Sequence, residues 1–417
     1  MKEHLKYWLW DADMSGLEGR NWRRLATTYV VLLAVLHSLF FPLYMNQVAF
    51  LGSGLGDEDA TSAWRELFAR MDAWGEALNS PLPLWIVVAL AVGGVLFRIY
   101  TQFRSYFKFK AYEGREFPID IIGTIALANI YNLIAIHVLL LAIGLGSLML
   151  FGEFSIGWTS VEKLAALARD WIDQIPTIFD LHPVLTVFAV YMLHGFFHYW
   201  LHRFGHSFRA LWLLFHRQHH VPEQMMNQSI TDVVFSFPLF ILMVVPYTLI
   251  FGATSKLFSA EPLYVEFILI NLFMVIPEIH AHSTALYYEA CKNPIVRWLG
   301  WLFLNGPYHY LHHSSEPTDS GKNGAVNMVN IGGGFFGLWD RVFGTFRPLR
   351  AQRPKVGLTG NPTLHMNPMR VAIGGLVQLL YELKHNRSWK DRLLIIFGSS
   401  NWNPPVSQDF LLQQPPN

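Results

Sequence analysis

Histidine is concentrated in one stretch of this chain. Seven of the eighteen histidines lie within twenty-seven residues, from His194 to His220. Four of these recur at every fourth residue, a spacing that on a helix places side chains along one face: His194, His198, His202 and His206. A second cluster, His216-Arg-Gln-His219-His220, follows ten residues later. Because imidazole is a nitrogen ligand that iron, zinc and copper favour, the stretch predicts a metal site.

The histidine pattern returns in the second half of the chain. The later clusters are His280-Ala-His282 and His309-Tyr-Leu-His312-His313. Twelve of the eighteen histidines lie between positions 194 and 313, where even spacing would place about five. Two copies of His-x-x-His-His and a four-residue ladder are poorly explained by packing alone. So many imidazoles exceed the three or four ligands of one zinc ion and favour two metal ions held close together.

Other histidines have a simpler interpretation. A single histidine near a helix end usually has a structural partner, and we read six positions in this way: His4, His37, His137, His182, His365 and His385. His194 lies on the apolar side of the ladder and is interpreted as a bystander. The single cysteine, Cys291, excludes an internal disulfide and a multi-cysteine metal site.

Composition indicates an all-α, polytopic membrane protein. Of the 417 residues, 52% are hydrophobic and 15% are charged, whereas soluble domains carry about 25% charged residues. The apolar runs predict about six spans, at residues 26–44, 84–100, 119–151, 184–200, 231–251 and 264–279. The net charge of +1 gives no electrostatic basis for nucleic-acid binding.

Charge bias predicts the orientation of these spans. Lysine and arginine cluster before the first span, after the second and within the histidine region, which places both termini and all histidine clusters on the cytoplasmic side. Residues 119–151 form either one tilted span or a hairpin that would invert everything upstream. The predicted fold is therefore a helical membrane bundle whose cytoplasmic helical cap holds a dimetal site.

Three sequence motifs resemble the fatty acid hydroxylase/sterol desaturase superfamily of integral-membrane di-iron enzymes, over about residues 185–347. The first is His198-Tyr-Trp-Leu-His202-Arg-Phe-Gly-His206. The second is His216-Arg-Gln-His219-His220, followed by Asn227. The third is Pro307-Tyr-His309-Tyr-Leu-His312-His313, followed by Lys322-Asn323-Gly324 and Trp339-Asp340-Arg341-Val342-Phe343-Gly344-Thr345-Phe346.

The resemblance implies a set of metal ligands, carried over position by position: His202, His206, His216, His219, His220, His309, His312 and His313. It implies a further ligand at His280, with His282 as the alternative, and a reserve ligand at His198. Asn227 and Asp340 are expected to support the ligands without binding metal. Members commonly carry an acidic residue seven positions before the first-box histidine, a position that Gly195 occupies here. Either His194 or His198 replaces that residue, or the groups that orient the ligands differ.

The apolar runs and the resemblance together divide the chain into three predicted regions. Residues 1–183 are an N-terminal membrane region of about three spans, and residues 184–347 are a fatty acid hydroxylase-like catalytic domain. Residues 348–417 are a C-terminal tail, in which we expect an amphipathic surface helix over 368–384 and a loose end over 401–417.

The implied activity is O2-dependent hydroxylation of a C–H bond in a membrane lipid (acyl, sterol, alkylglycerol or carotenoid-like) at two iron ions (Fe2+/Fe3+). No catalytic residue beyond the ligands is predicted. Desaturation at the same site is the close alternative. A histidine-lined metal transporter is the alternative from another class, and it would place ligands inside the spans.

The implied partners are a lipid from the bilayer and a separate cytosolic electron donor, either cytochrome b5-like or a ferredoxin with its reductase. The C-terminal residues Gln-Gln-Pro-Pro-Asn carry no retrieval signal, which favours a bacterial inner membrane over the endoplasmic reticulum.

Overall fold

The computed structural model describes residues 6–11, 170–221, 250, 252–260, 283–303, 306–319, 327–332, 335–360, 362–365 and 367–412, with isolated positions between 93 and 167. Five predicted spans (26–44, 84–100, 119–151, 231–251 and 264–279) lie wholly or almost wholly outside these residues. His280, His282 and Asn227 also lie outside them.

The described part of the chain is helical, and its β-structure is limited to isolated bridges such as that between Phe208 and Ser399. This confirms the all-α prediction for these residues. The α-helices are α1 (Pro183–Ser207), α2 (Arg209–Leu211), α3 (Arg217–His220), α4 (Thr284–Lys292), α5 (Pro294–Phe303), α6 (Pro307–His312), α7 (Leu338–Val342), α8 (Pro368–His385) and α9 (Trp389–Phe397). Tyr7–Asp11 and Trp212–His216 are π-helical, and Pro317–Asp319 and Phe335–Gly337 are 3-10 turns.

Helix α1 carries the histidine ladder, as the four-residue spacing predicts. It begins at Pro183, a residue suited to the first helical position. The helix ends where the Ser207 hydroxyl donates to the Arg203 carbonyl at 2.8 Å and Phe208 becomes extended. The chain then reverses direction and returns the second histidine cluster alongside α1.

The predicted fourth span, 184–200, falls within α1. None of the helices in the described ranges combines the length and the apolar character needed to cross a bilayer.

The segment from α2 through the π-helix to α3 packs between α1 and α8. Its apolar side chains form a core with residues of the C-terminal helices: Ala210, Trp212, Leu213, Leu379 and Ile395. The approach to α8 is close at Gly375, where a Cβ atom would lie 1.9 Å from the Leu213 carbonyl oxygen. Only glycine fits at this point.

The third histidine cluster is positioned by a short helix and the loop that follows it. Helix α6 starts at Pro307, after Gly306 at φ +58°, a conformation that favours glycine. Residues 327–332 then run back along α6, and α7 closes this layer. Trp339 on α7 packs against Phe196 at 5.0 Å between ring centroids and donates from Nε1 to the Met192 carbonyl at 3.1 Å.

The C-terminal region departs from one expectation. The predicted helix over 368–384 is present as α8. The expected loose end is wrong for residues 401–412, because Leu411 is 1% exposed and the Ser407 hydroxyl donates to buried Glu382 at 2.6 Å. The composition of this segment is typical of a loop, but its polar side chains find buried partners.

Candidate metal centre

Three short stretches bring eight of the predicted ligands together. Helix α1 supplies His202 and His206. The π-helix and α3 supply His216, His219 and His220, and α6 with its C-cap supplies His309, His312 and His313.

One group of four histidines has ligand nitrogens within 4.8 Å of one another: His202, His206, His216 and His312. The Nε2 atoms of His202 and His216 are 2.9 Å apart, and those of His206 and His312 are 3.1 Å apart. The Nε2 atoms of His202 and His206 are separated by 3.3 Å. This group draws one or two side chains from each of the three motifs.

A second group contains His219, His309 and His313, whose ligand nitrogens also lie within 4.8 Å of one another. The Nε2 atoms of His309 and His313 are 3.0 Å apart. The rings of His219 and His313 lie 4.5 Å apart, edge to face. The two groups therefore share no residue, although they adjoin.

His220 lies between the two groups. Its Nε2 atom is 3.2 Å from Nε2 of His216, and its ring is 4.2 Å from the His313 ring. It is completely buried, and its Nδ1 has no hydrogen-bond partner in the described structure. A buried, unpaired polar nitrogen is costly unless a ligand compensates for it.

The nitrogen–nitrogen distances have a direct geometric meaning. An imidazole nitrogen lies about 2.0–2.1 Å from a bound metal such as zinc, so two ligands at right angles on one ion are separated by about 3 Å. The observed separations of 2.9, 3.1 and 3.3 Å within the first group match this value. The donor set therefore fits a transition metal that prefers nitrogen, iron included.

Backbone carbonyls set the orientation of two ligands. The Nδ1 atom of His202 lies 2.6 Å from the Ile331 carbonyl oxygen, and that of His312 lies 2.8 Å from the Val329 carbonyl oxygen. A carbonyl can only accept, so each Nδ1 carries the proton and each Nε2 presents its lone pair to the group. This is the usual arrangement behind a metal-binding imidazole.

Burial keeps these imidazoles neutral. Burial, together with neighbouring imidazoles, holds the pKa values of His202, His216 and His312 well below their ordinary value. Burial lowers the pKa of His219 to about 3. A neutral imidazole is the form that binds metal, so the site is prepared for ligation without losing protons.

The remaining histidines of the ladder lie outside both groups. The His198 ring is 5.8 Å from the His202 ring. His194 stacks on Tyr191 at 6.4 Å. The reserve role expected for His198 stays a prediction.

Asp340 holds the backbone segment that orients His202. Its carboxylate accepts hydrogen bonds from the backbone N–H groups of Ile331 at 2.7 Å and Gly332 at 2.8 Å, and from the Thr345 hydroxyl at 2.5 Å. Ile331 is also the residue whose carbonyl accepts from His202. Burial raises the pKa of Asp340 to about 6, an effect that these three donors oppose.

Several supporting groups are not apparent from the sequence. The carbonyls of Val329 and Ile331 carry no side-chain signature. Asn327 donates from Nδ2 to the His312 carbonyl at 3.1 Å and to the Ser314 carbonyl at 2.8 Å, and its φ of +48° suits asparagine. Asparagine's tolerance of this conformation is the one signal that could have identified it.

Comparison with known proteins finds similarity over the part of the chain that carries these histidines. Residues 187–345 match the family model described as fatty acid hydroxylase. Alkylglycerol monooxygenase of Xenopus tropicalis is 23% identical over 217 residues, which cover 50% of this chain and 41% of the relative. Alkylglycerol monooxygenase of Danio rerio is 27% identical over 225 residues, which cover 50% of this chain and 40% of that relative. The chain thus spans about two fifths of the length of these relatives. No solved structure is significantly similar to it.

Proposed function

We propose, from the membership of residues 187–345 in the fatty acid hydroxylase family, that this chain is an O2-dependent lipid monooxygenase whose histidines hold two iron ions. The observation that carries the proposal is the packing of eight buried or half-buried imidazoles, five pairs of which have Nε2–Nε2 distances of 2.9–3.3 Å. The similarity to alkylglycerol monooxygenases makes an alkylglycerol the first substrate to test, ahead of acyl, sterol and carotenoid-like lipids.

The chain's own residues prepare the site for this chemistry. Iron bound to nitrogen ligands in a water-poor pocket would supply the oxidising power to attack an unactivated C–H bond. The Trp212 ring covers the site at 5.3 Å from the His206 ring and 5.4 Å from the His220 ring. His206 and His312 are fully buried, so the fold excludes water from these two side chains. The fixed imidazole orientations remove the need to reorganise the ligands during turnover.

Exposed apolar side chains on α1 support a proposal for how the substrate approaches. The N-terminal half of α1, the helix that carries His202, exposes the apolar side chains of Leu185 and Phe188. We propose that a lipid chain enters along these side chains from the membrane. A separate cytochrome b5-like protein or ferredoxin with its reductase supplies electrons on the cytoplasmic side, at the inner membrane of a bacterium.

An isotope experiment tests the activity. Membranes containing the full chain are supplied with a 1-O-alkylglycerol, an electron donor and isotopically labelled dioxygen, and lipids are analysed by mass spectrometry. We expect incorporation of one labelled oxygen atom per turnover, and none with the His219→Ala variant. His385→Ala is the matched control, because His385 is exposed on α8 and stacks only with Tyr381 among the described rings.

Three other results would redirect or contradict the proposal. A product that has lost two hydrogens without gaining oxygen would identify a desaturase. Full activity in His219→Ala would contradict a catalytic role of the group that contains His219. Histidine-dependent metal uptake into vesicles, without lipid oxidation, would identify a transporter, although imidazoles packed this closely favour a fixed site over a pathway.

Asp340 is expected to act as a positioning residue. In Asp340→Asn, one of the two carboxylate oxygens becomes an NH2 group and faces the N–H of Ile331 or Gly332, so the loop that fixes His202 is displaced. Loss of such outer partners typically reduces metal affinity about 10- to 100-fold. We expect a decrease in that range in the iron affinity, measured by competition with a chelator.

The matched control for this variant is Asp173→Asn, which makes the same change at an exposed position. Its iron affinity should equal that of the wild type. An equal affinity in Asp340→Asn would show that the loop is held without the carboxylate.

A further inference from the structure

The second histidine cluster lies on a segment that cannot be stable alone. Residues 209–220 comprise an α-helix of three residues, a π-helix of five and an α-helix of four. Isolated helices shorter than about 12–15 residues are marginal in water. External contacts must therefore hold His216, His219 and His220 in place.

Helix α1 supplies part of these contacts, and the C-terminal region, beyond residue 345 where the family match ends, supplies another part. Arg217, which directly follows His216, donates from Nη1 to Gln378 Oε1 at 3.1 Å and to Asp409 Oδ2 at 3.0 Å. Arg209, at the start of the segment, donates to Glu382 Oε1 at 2.6 Å. The two arginines thus lie on either side of His216, and Arg217 precedes the pair His219 and His220 by two residues.

The partners of these arginines form one buried network. Gln378 Nε2 donates to Glu382 Oε1 at 3.0 Å, which links the partners of Arg217 and Arg209. Arg209, Arg217, Gln378 and Glu382 are each at most 5% exposed. Two buried guanidinium groups face two carboxylates, of Glu382 and Asp409, so the charges balance. Each guanidinium group thus has a carboxylate partner, while Arg209 Nε, Arg217 Nε and Nη2, and Glu382 Oε2 have no hydrogen-bond partner among the described residues.

The backbone contact at Gly375 completes the support. Gly375 brings α8 against the carbonyl of Leu213 inside the π-helix, because a Cβ atom there would lie 1.9 Å from that oxygen. The neighbouring Gly374 has only ordinary contacts, the nearest at 3.8 Å. Helix α8 thus touches the metal-binding segment through its backbone as well as its side chains.

We propose that Gly375, Gln378, Glu382 and Asp409 are positioning residues for the second histidine cluster, so that the C-terminal region is an integral part of the metal centre. The inference rests on the proposed function, because it presumes that the cluster binds iron. It predicts that iron retention depends on residues that contact no ligand.

The two adjacent glycines provide the test. Gly375→Ala should push α8 away from Leu213 and reduce iron affinity about 10- to 100-fold, the range for outer support of a metal ligand. Gly374→Ala makes the same chemical change one residue away and should leave iron affinity unchanged. Affinity is measured by chelator competition on the purified full chain, well below the unfolding temperature of every variant.

A second pair covers the case in which Gly375→Ala fails to fold. Gln378→Met removes both side-chain hydrogen bonds at similar length and should also weaken iron binding about 10-fold or more. Lys384→Met, at an exposed position of the same helix, is its control. In iron-free protein, amide hydrogen exchange over residues 212–220 should accelerate in Gln378→Met and not in Lys384→Met.

Two results would overturn the inference. The first uses Thr186→Val, which removes hydroxyl hydrogen bonds at the end of α1 far from the histidine groups. If this variant lowers iron affinity as much as Gln378→Met does at an equal loss of thermal stability, the effect of Gln378→Met is general destabilisation. Unchanged affinity in both Gly375→Ala and Gln378→Met, with iron bound to the wild type, would also refute it. A wild type that binds no iron would instead refute the proposed function and the inference together.

Discussion

Replacing His312 with alanine is expected to empty the four-histidine group and to lower activity by more than about 100-fold, since even outer partners of a ligand cost about 10- to 100-fold. His312 is 0% exposed, and its ring lies 4.7 Å from the rings of both His202 and His206. Its removal takes away one of four nitrogens and leaves the Val329 carbonyl without its donor. Iron per chain, measured by elemental analysis, should fall by at least one ion.

A second substitution separates loss of a ligand from loss of fold. The amide of asparagine can replace the Nδ1–H group that donates to Val329, but it provides no atom in place of Nε2. His312→Asn should therefore lose iron as His312→Ala does, while its thermal midpoint stays closer to that of the wild type. Retention of the full iron content by either variant would contradict the assignment of His312 as a ligand, and His385→Ala serves as the unaffected control.

The histidine spacing contains enough information to predict much of this site. The four-residue ladder predicts α1 and places His202 and His206 on one face, and the paired His-x-x-His-His motifs predict two further clusters near them. Local periodicity can do this because each cluster spans one or two helical turns. The expected ligand at His280 lies outside the described residues and stays a prediction.

Other parts of the site could not be predicted, for a physical reason. The Trp212–His216 segment is π-helical and packs against α8 through the core that contains Leu213 and Leu379. A π-helical step of this kind has no local sequence pattern from which it could be predicted. The carbonyls that orient His202 and His312 are backbone groups, which every residue carries.

The C-terminal partners of Arg209 and Arg217 cannot be predicted from periodicity, because these ion pairs join residues that are far apart in the sequence. Glu382 is 173 residues from Arg209, and Asp409 is 192 residues from Arg217. Composition predicts a loop over 401–412, and the segment is irregular, but it packs on the protein because Asp409 and Ser407 complete a buried network.

The largest effect on stability is expected at the ion pair of Arg209 and Glu382. Their side chains are 2% and 0% exposed, and the Glu382 Oε1 atom accepts from Arg209 at 2.6 Å. Removing one partner of a buried pair leaves the other charge without compensation, which typically costs about 3–5 kcal/mol. Arg209→Met should therefore lower the free energy of unfolding by that amount, measured by denaturant titration of the purified chain.

The double variant distinguishes a buried charge from lost packing. In Arg209→Met with Glu382→Met, neither charge remains, so the penalty for an unpaired ion disappears and the double variant should be more stable than either single variant. The surface pair of Lys6 and Asp11, 64% and 41% exposed, is the control: Lys6→Met should change the free energy of unfolding by less than about 1 kcal/mol.

Two outcomes would show that the pair does not hold the C-terminal region against the histidine segment. In the first, Arg209→Met lowers the free energy of unfolding no more than Lys6→Met does. In the second, the double variant loses as much stability as the two single variants together. A double variant that is stable but still binds iron weakly would show that the pair positions the histidine segment in addition to stabilising the fold. The reason is that methionine can fill the space of both side chains without keeping Arg217 and Gln378 in their places.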